Sequence, residues 1–249
     1  NYCENKSYSN ELRLSNNKNR LKWVAGVYLD NEDYDESTGY DNYSFYGKYD
    51  ATGSVRSNTK SIFGQVMYSL NDKFDLTLGG RYQRIEKDAD IDVTVENYSA
   101  SNYSFNAEKT WNSFLPKVAL SYKNDENTTS YISISKGYMP GGFNTFPSSS
   151  SIDDNSFDEQ TSINYEIGYK GILDDFIFNA SIFYMDIKDL QVYKVDSLGS
   201  WYTNNADSAH SYGLELEGRY FINDNFDLSG NIGLIKAAYD KYDAGTTSF

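Results

Sequence analysis

Phe74-Asp75-Leu76-Thr77-Leu78-Gly79-Gly80-Arg81-Tyr82 alternates between two kinds of side chain. Every second position from Phe74 to Tyr82 is apolar or glycine, and the positions between them include Asp75, Thr77 and Arg81. Successive side chains of a β-strand point to opposite sides of the sheet. This period of two therefore predicts a strand with one apolar face and one polar face.

Seven further stretches show the same alternation. Their apolar positions are Leu21, Trp23, Ala25, Val27, Leu29, Ile62, Gly64, Val66, Tyr68, Leu70, Phe114, Pro116, Val118, Leu120, Tyr122, Tyr165, Ile167, Tyr169, Phe176, Phe178, Ala180, Ile182, Tyr184, Tyr212, Leu214, Leu216, Gly218, Tyr220, Ile222, Phe226, Leu228, Gly230, Ile232 and Leu234. None is charged. Over all eight stretches, the intervening positions carry nine charges, at Lys22, Asp75, Arg81, Lys117, Glu166, Glu215, Glu217, Arg219 and Asp227. A sheet with two chemically distinct faces follows from this separation of charge.

Short polar turns separate these strands at intervals of about 50 residues, centred near residues 17, 72, 125, 174 and 224. Longer polar stretches lie between them, near residues 31–60, 86–111, 139–161 and 187–209. Outer-membrane barrels alternate short periplasmic turns with long extracellular loops. With two less regular strands at residues 8–15 and 129–138, the pattern predicts an all-β fold, an antiparallel transmembrane β-barrel segment of about ten strands. Residues 192–195 are expected to form a further short strand within a long loop.

Aromatic residues flank four of the short turns, as in the girdle that barrels place at the membrane–water interface. The pairs are Tyr68 and Phe74, Tyr122 and Tyr131, Tyr169 and Phe176, and Tyr220 and Phe226. The charged face then lines the lumen, and its predicted lumen-lining charges are Arg81, Glu166, Lys170, Glu215, Glu217 and Arg219. Such charges are expensive in lipid. We expect them to stabilise the wall through ion pairs rather than to bind a ligand.

Composition narrows the class of protein. The net charge of -14 argues against nucleic acid as a partner, because phosphates require a basic surface. No stretch approaches the length of a membrane helix. The chain starts at Asn1 without a signal peptide, and we interpret it as part of a longer protein.

No catalytic or metal-binding constellation is readable in the sequence. His210 has no second His or Cys nearby, and residues 30–36 are acidic without the spacing of a calcium loop. We therefore predict no enzyme activity, no cofactor and no metal site. Aromatic and amide side chains in the long loops are the candidate ligand contacts, and they could equally pack the loops together: Tyr40, Tyr46, Phe143, Asn144, Trp201 and Tyr202.

Eight stretches, in this order, resemble the barrel of TonB-dependent receptors. They are residues 10–15, 23–28, 61–66, 76–82, 114–122, 131–144, 165–170 and 213–218, of which the segment Tyr131-Ile132-Ser133-Ile134-Ser135-Lys136-Gly137-Tyr138-Met139-Pro140-Gly141-Gly142-Phe143-Asn144 is the most family-like. The resemblance implies that residues 1–249 are part of a barrel of the 22-stranded type, with the plug domain and TonB box absent from this chain. It includes Pro116, where we expect a bulge because proline removes a ladder donor.

The resemblance implies an outer-membrane receptor in a Gram-negative bacterium for TonB-energised uptake of a scarce nutrient, with an iron–siderophore complex as the leading candidate. Its implied partners are outer-membrane lipid, a small metal-chelate ligand, the plug of the same full-length chain, and TonB through the missing N-terminal region. The alternatives are a passive porin-like or enzyme outer-membrane barrel, and a soluble Tyr-rich β-sandwich that binds carbohydrate.

Overall fold

A computed structural model describes residues 2–43, 47–96, 102–145, 147, 149–195 and 201–241. Ten long strands dominate these residues: β1 (Tyr2–Asn16), β2 (Leu21–Tyr43), β3 (Gly47–Ser69), β4 (Phe74–Glu96), β5 (Tyr103–Lys123), β6 (Thr128–Met139), β9 (Gln160–Leu173), β10 (Phe176–Val195), β11 (Trp201–Asn223) and β12 (Phe226–Lys241). Between β6 and β9 lie two short strands, β7 (Gly142–Phe143) and β8 (Ser156–Phe157), and the helix α1 (Ile152–Asn155).

The long strands form one antiparallel sheet in the order β1-β2-β3-β4-β5-β6-β9-β10-β11-β12. Each strand pairs with its neighbour in the chain, except that β6 pairs with β9 across the insertion that holds β7, α1 and β8. The predicted all-β class and the count of about ten strands are confirmed. Within the described residues, the pairing ends at β1 on one side and at β12 on the other. No described helix is long and apolar enough to cross a membrane.

We call the face against which residues 140–159 pack the inner face, and the opposite one the outer face. The apolar positions predicted from the sequence lie on the outer face and are exposed, as shown by Ile62 at 61%, Val118 at 47% and Ile182 at 61%. Cross-strand pairs such as Val66 with Leu78, and Leu78 with Val118, join them into one continuous band. Exposed aliphatic side chains in such a band indicate contact with lipid.

The strands continue well beyond this apolar band, and there the two faces exchange character. On β4 the outer face changes from Leu76, Leu78 and Tyr82 to Arg84, Glu86, Asp88, Asp90 and Asp92. The inner face changes from Asp75, Thr77 and Arg81 to the buried residues Ile85, Ala89, Ile91 and Val93. On the inner face the apolar residues are covered by the segment at residues 140–159, and the charged residues on the outer face are those expected where a surface meets water.

The extended strands correct the prediction of long loops. Most of the residues in the predicted loops at 31–60, 86–111 and 187–209 belong to β2, β3, β4, β5, β10 and β11. Residues 192–195 are likewise the end of β10 rather than a separate strand. The prediction assumed that polar side chains mark loops, whereas here the period of two continues with the opposite face buried.

Asn and Asp side chains close the short turns. Asn71 Oδ1 accepts hydrogen bonds from the backbone N–H groups of Lys73 and Phe74, at 2.8 and 2.9 Å. Asp125 and Asn223 accept in the same way from the N–H groups two and three residues further along the chain. This local bonding explains why Asn and Asp recur at these turns.

Pro116 does not form the expected bulge. It pairs with Gly80 of β4 in an uninterrupted register. On the other side, the pairing of β5 with β6 begins at Lys117 and Ser135, so Pro116, the preceding residue, has no partner on β6. Pro116 therefore lies where β5 loses a neighbour, a position that tolerates the missing N–H group.

Candidate functional site

The insertion between β6 and β9, residues 140–159, folds back onto the inner face. The Tyr49 hydroxyl donates a hydrogen bond to the carbonyl oxygen of Pro147 at 3.1 Å, and the Tyr103 hydroxyl donates to the same oxygen. The backbone N–H of Asn144 donates to the carbonyl of Asn155 at 2.8 Å, which ties the two ends of the insertion together. These hydrogen bonds give the insertion a defined position on the inner face.

Amide side chains from β10 and β11 clamp the other side of the insertion. Gln191 Nε2 donates to the carbonyl oxygens of Pro140 and Asp158, at 2.9 and 3.0 Å. Asn205 accepts from the Asp158 N–H at 2.8 Å and donates to its carbonyl at 3.1 Å. We call these two residues the amide clamp. Because both residues bond to backbone, they fix the path of the chain rather than one side chain.

An aromatic cluster lies beneath the insertion. Phe143 packs edge-on against Phe105, with ring centroids 5.9 Å apart, and against Trp111 at 6.1 Å. All three side chains are buried, as are the residues around them: Ala51, Ala89, Ile91, Val93 and Ala107. Gly141 lies so close to Trp111 that a Cβ atom there would be 2.7 Å from the indole nitrogen. This packing requires glycine at position 141.

A cleft of about 310 Å³ opens between this insertion and the inner face of β2, β3 and β4. Its volume lies at the lower end of the range for small-molecule sites. It combines acidic, basic, hydroxyl and aromatic side chains, and it is lined by Asp30, Glu32, Tyr34, Val55, Ser57, Thr59, Ile85, Lys87, Pro140, Gly142, Phe143, Thr145 and Phe157.

Lys87 is the basic residue in the lining of this cleft, which also holds the carboxylates of Asp30 and Glu32. It lies directly across the strand pair from Lys109, and the ammonium groups of both lie over the Trp111 ring, at 5.9 and 5.4 Å from its centroid. Lys109 is paired with Asp158 at 2.8 Å, whereas no carboxylate of the described residues lies within 4 Å of Lys87. Burial lowers the pKa of Lys87, and the charge of Glu32 partly opposes the shift.

Two buried donors beside the cleft are unsatisfied. The indole N–H of Trp111 and the hydroxyl of Tyr138 have no hydrogen-bond partner among the described residues. Tyr138 packs against the aromatic cluster, and burial raises the pKa of its hydroxyl. A buried donor without a partner is costly, and an acceptor supplied by a ligand would remove that cost.

The predicted ligand contacts are spread over different environments. Phe143 lines the cleft, and Asn144 is buried, with its side chain exchanging two hydrogen bonds with the backbone of Thr203 at 3.1 and 2.7 Å. Tyr202 is half-buried at the start of β11. Tyr40 and Trp201 lie at the far ends of β2 and β11, while Tyr46 lies outside the described residues.

The predicted lumen charges lie on the inner face, several of them in contact with aromatic rings. Arg81 lies 5.1 Å over the Tyr28 ring. Tyr131 donates a hydrogen bond to Glu166 at 2.6 Å and lies 5.7 Å from the Lys170 ammonium. Gly168, between Glu166 and Lys170, makes room for that ring, because a Cβ atom there would be 2.2 Å from it.

At the end of the sheet, Arg219 forms a bidentate pair with Asp227, at 2.9 and 3.0 Å. Glu215 and Glu217 lie on the same face of β11 as Arg219 and are exposed. No described contact sets either glutamate apart as a ligand-binding residue. The described residues also contain no group of three or more His, Cys, Asp or Glu side chains that could hold a metal ion.

Sequence reasoning missed Lys87 and Trp111 because it assigned residues 86–111 to a polar loop. The signal was present in the alternation of Ile85, Ala89, Ile91 and Val93 with charged residues. In this part of β4 the apolar residues lie on the inner face, whereas lower on the strand they lie on the outer face. A search for the same period on the opposite face would have extended β4 and placed Lys87 on the inner side.

Comparison with known protein families matches residues 4–248 to the β-barrel domain described as TonB dependent receptor-like. The chain belongs to this family. The order of strands, the apolar outer band and the polar inner face are the features expected of a TonB-dependent receptor barrel. The resemblance inferred from the eight sequence stretches is therefore confirmed.

Curated relatives of this TonB-dependent receptor barrel include the pesticin receptors of two Yersinia species. The receptor of Yersinia enterocolitica (serotype O:8, biotype 1B) is 28% identical over 186 residues, which cover 73% of this chain and 27% of the relative. The receptor of Yersinia pestis is 27% identical over 186 residues, which again cover 73% of this chain and 27% of the relative. The chain thus spans about a quarter of the length of these relatives.

Solved structures show the same fold. The ferric yersiniabactin uptake receptor from Yersinia pestis superimposes with a TM-score of 0.83 at 21% identity, covering 96% of this chain and 37% of that chain. The ferric-catecholate import receptor from K12 E. coli superimposes with a TM-score of 0.70 at 17% identity, covering 96% and 39%. At these identities the likeness establishes the architecture of the wall.

Proposed function

We propose that the protein containing this barrel segment takes up an anionic metal-chelate nutrient, an iron–siderophore complex first of all, across the outer membrane with energy relayed through TonB. The segment supplies part of the transmembrane wall and one side of the ligand site. The plug of the full-length chain and TonB are the proposed partners.

The observation that carries this proposal is the environment of Lys87. An ammonium group that is partly desolvated, lies opposite a second lysine and has no carboxylate within 4 Å is electrostatically unfavourable. An anionic ligand in the cleft would compensate it. Phe143 and Phe157 line the cleft and offer aromatic surface to the same ligand.

Tyr40, Trp201 and Tyr202 remain proposed contacts at the extracellular rim, and Tyr46, which lies outside the described residues, remains a proposed contact. Phe143 belongs to the proposed site because it lines the cleft, and Asn144 supports it by fixing the insertion to β11. The inward charges Arg81, Glu166, Lys170, Glu215, Glu217 and Arg219 are proposed to stabilise the wall.

The test is accumulation of iron-55 by cells that lack other siderophore receptors and express the intact protein. Ferric yersiniabactin and a ferric catecholate are supplied separately, in strains with and without TonB. We expect accumulation of one complex, abolished without TonB. If either complex entered equally well without TonB, the passive porin-like barrel would replace this proposal.

A matched pair of variants connects transport to the cleft. Lys87→Gln should weaken binding of the transported complex by about tenfold, the value of one charge-assisted hydrogen bond of about 1.4 kcal/mol. Arg56→Gln removes a positive charge from the outer side of β3 and should leave binding unchanged. Equal affinities for both variants would place the ligand outside this cleft.

A further inference from the structure

Charged residues on the outer face change sign with height along the strands. The first polar outward position above the apolar band is basic on four strands, at Lys60, Arg84, Lys136 and Lys236, and Lys188 follows on β10. We call these five residues the basic collar. Among the described strands, only β10 has a carboxylate, Asp186, at the first polar outward position above the apolar band.

The neighbouring levels are acidic instead. Above the basic collar the outer face carries six acidic residues, Asp33, Asp35, Glu86, Asp88, Asp90 and Asp92, together with the basic Arg56, which lies across from Asp33. Below the apolar band, the short turns carry three basic and six acidic residues, namely Lys18, Arg20, Lys73, Asp72, Asp125, Glu126, Asp174, Asp175 and Asp224. In a chain with 36 acidic and 22 basic residues, the basic collar is a local reversal of charge.

Most of the collar is not neutralised by the protein itself. Arg84 pairs with Glu86 at 2.6 Å, but no carboxylate of the described residues lies within 4 Å of Lys60, Lys188 or Lys236. These three side chains are exposed. Lys60 and Lys236 lie two residues, about 7 Å along the strand, above the last apolar residue of the band. Lysines at this distance extend their ammonium groups to the level of lipid headgroups.

We infer that the basic collar binds phosphate groups of lipids in the leaflet at the long-strand end of the wall. At the height of the basic collar, the phosphates of the membrane surface supply the matching negative charge. If the wall moved along the membrane normal, the acidic levels above and below the collar would meet the same phosphates and repel them. The collar would thus fix the depth of the wall. This inference depends on the membrane position of the outer face and not on the transported ligand.

Two triple variants of the intact receptor, purified in dodecyl maltoside, test the inference. The first replaces Lys60, Lys188 and Lys236 with Gln. The second, its control, removes equal charge at the other end of the band by replacing Lys18, Arg20 and Lys73 with Gln. Bound lipid A is measured by native mass spectrometry, with lipid A lacking phosphate as the second probe.

We expect the collar variant to lose at least about tenfold in affinity for lipid A, and the turn variant to match the unmodified receptor. Phosphate-free lipid A should bind all three proteins equally and weakly. Equal lipid A affinity of the two variants, or no preference for phosphate in the unmodified receptor, would overturn the inference. Heat-dependent gel mobility verifies folding, and if the triple variant fails to fold, Lys60→Gln and Lys236→Gln are measured singly.

Discussion

Lys87 is the residue on which the proposed ligand site depends, and three neighbouring side chains define its environment. Trp111 lies beneath its ammonium group, Lys109 lies across the strand pair, and Glu32 is the acidic residue whose charge favours protonation. Desolvation outweighs that attraction and lowers the pKa below the 10.5 of a free lysine. The charge that would attract an anionic chelate is therefore lost at lower pH than at an exposed lysine.

This shift makes binding dependent on pH in a defined direction. Affinity for an anionic chelate should fall as the pH rises through the lowered pKa of Lys87, because the ammonium group loses its proton there. Lys87→Arg keeps its charge at every accessible pH, so its affinity should stay level over the same range. Titrations of the intact receptor between pH 7 and 10 measure both. An identical decline in the two proteins would assign it to another group.

Val118 gives the corresponding prediction for the outer face. Val118→Arg should lower the free energy of unfolding in lipid vesicles by about 2–4 kcal/mol, since the charge would lie in hydrocarbon near the middle of the band. Ala119→Arg places the same side chain on the inner face and should cost several times less. Denaturant titration of the intact receptor measures both. Equal costs would contradict the assignment of the two faces.

These two residues also mark what the sequence could predict. The sequence places Val118 on the lipid side, because every strand of the band repeats the same alternation. The sequence does not single out Lys87, because its environment depends on Trp111 and Lys109 across the sheet and on the insertion beside it. A period of two identifies two faces, but it does not tell which face a later segment will cover.

The insertion between β6 and β9 is the element that shapes the cleft, because it supplies five of the lining residues, Pro140, Gly142, Phe143, Thr145 and Phe157. Strand pairing contributes little to holding its backbone, since β7 and β8 form only two residue pairs. The amide clamp and the contacts to Pro147 and Asn144 hold it in place instead. None of these contacts has a local sequence signature, which explains why residues 139–161 were predicted simply as a loop.

The amide clamp can be tested by hydrogen exchange. Asn205→Leu should increase the exchange rate of the Asp158 amide and of residues 140–159, because that amide donates to the Asn205 side chain. Asn204→Leu is the control, since its side chain accepts only from the neighbouring backbone N–H. Mass spectrometry of peptic peptides from the intact receptor measures the rates. Unchanged exchange in Asn205→Leu would show that other contacts suffice to hold the insertion.

At the scale of the whole molecule, the ten strands form a wall with two unpaired edges. Leu12 and Leu14 on β1, like Leu228 and Leu234 on β12, are more than 60% exposed. Their backbone groups on the unpaired side need partners, because lipid offers none. The wall therefore depends on further strands for stability in a membrane.

Residues 1–249 produced alone should consequently not form a closed barrel. In detergent we expect a mixture of oligomers and aggregates, and no band that resists heating on a denaturing gel. The intact receptor, treated identically, is the control and should give a heat-resistant monomer. Size-exclusion chromatography with light scattering measures both. A monodisperse, heat-resistant monomer from the short chain would show that β1 and β12 find each other.

The exchange of faces on β4 between Tyr82 and Arg84 also limits how this wall can vary in length. An added pair of residues raises the upper part of the strand but keeps each side chain on its own side. A single added residue turns the whole upper half over, so that Asp88 and Asp90 point toward Phe105 while Ile91 meets water. Length changes tolerated above the membrane should therefore come in even numbers, and odd ones should require a compensating bulge on the same strand.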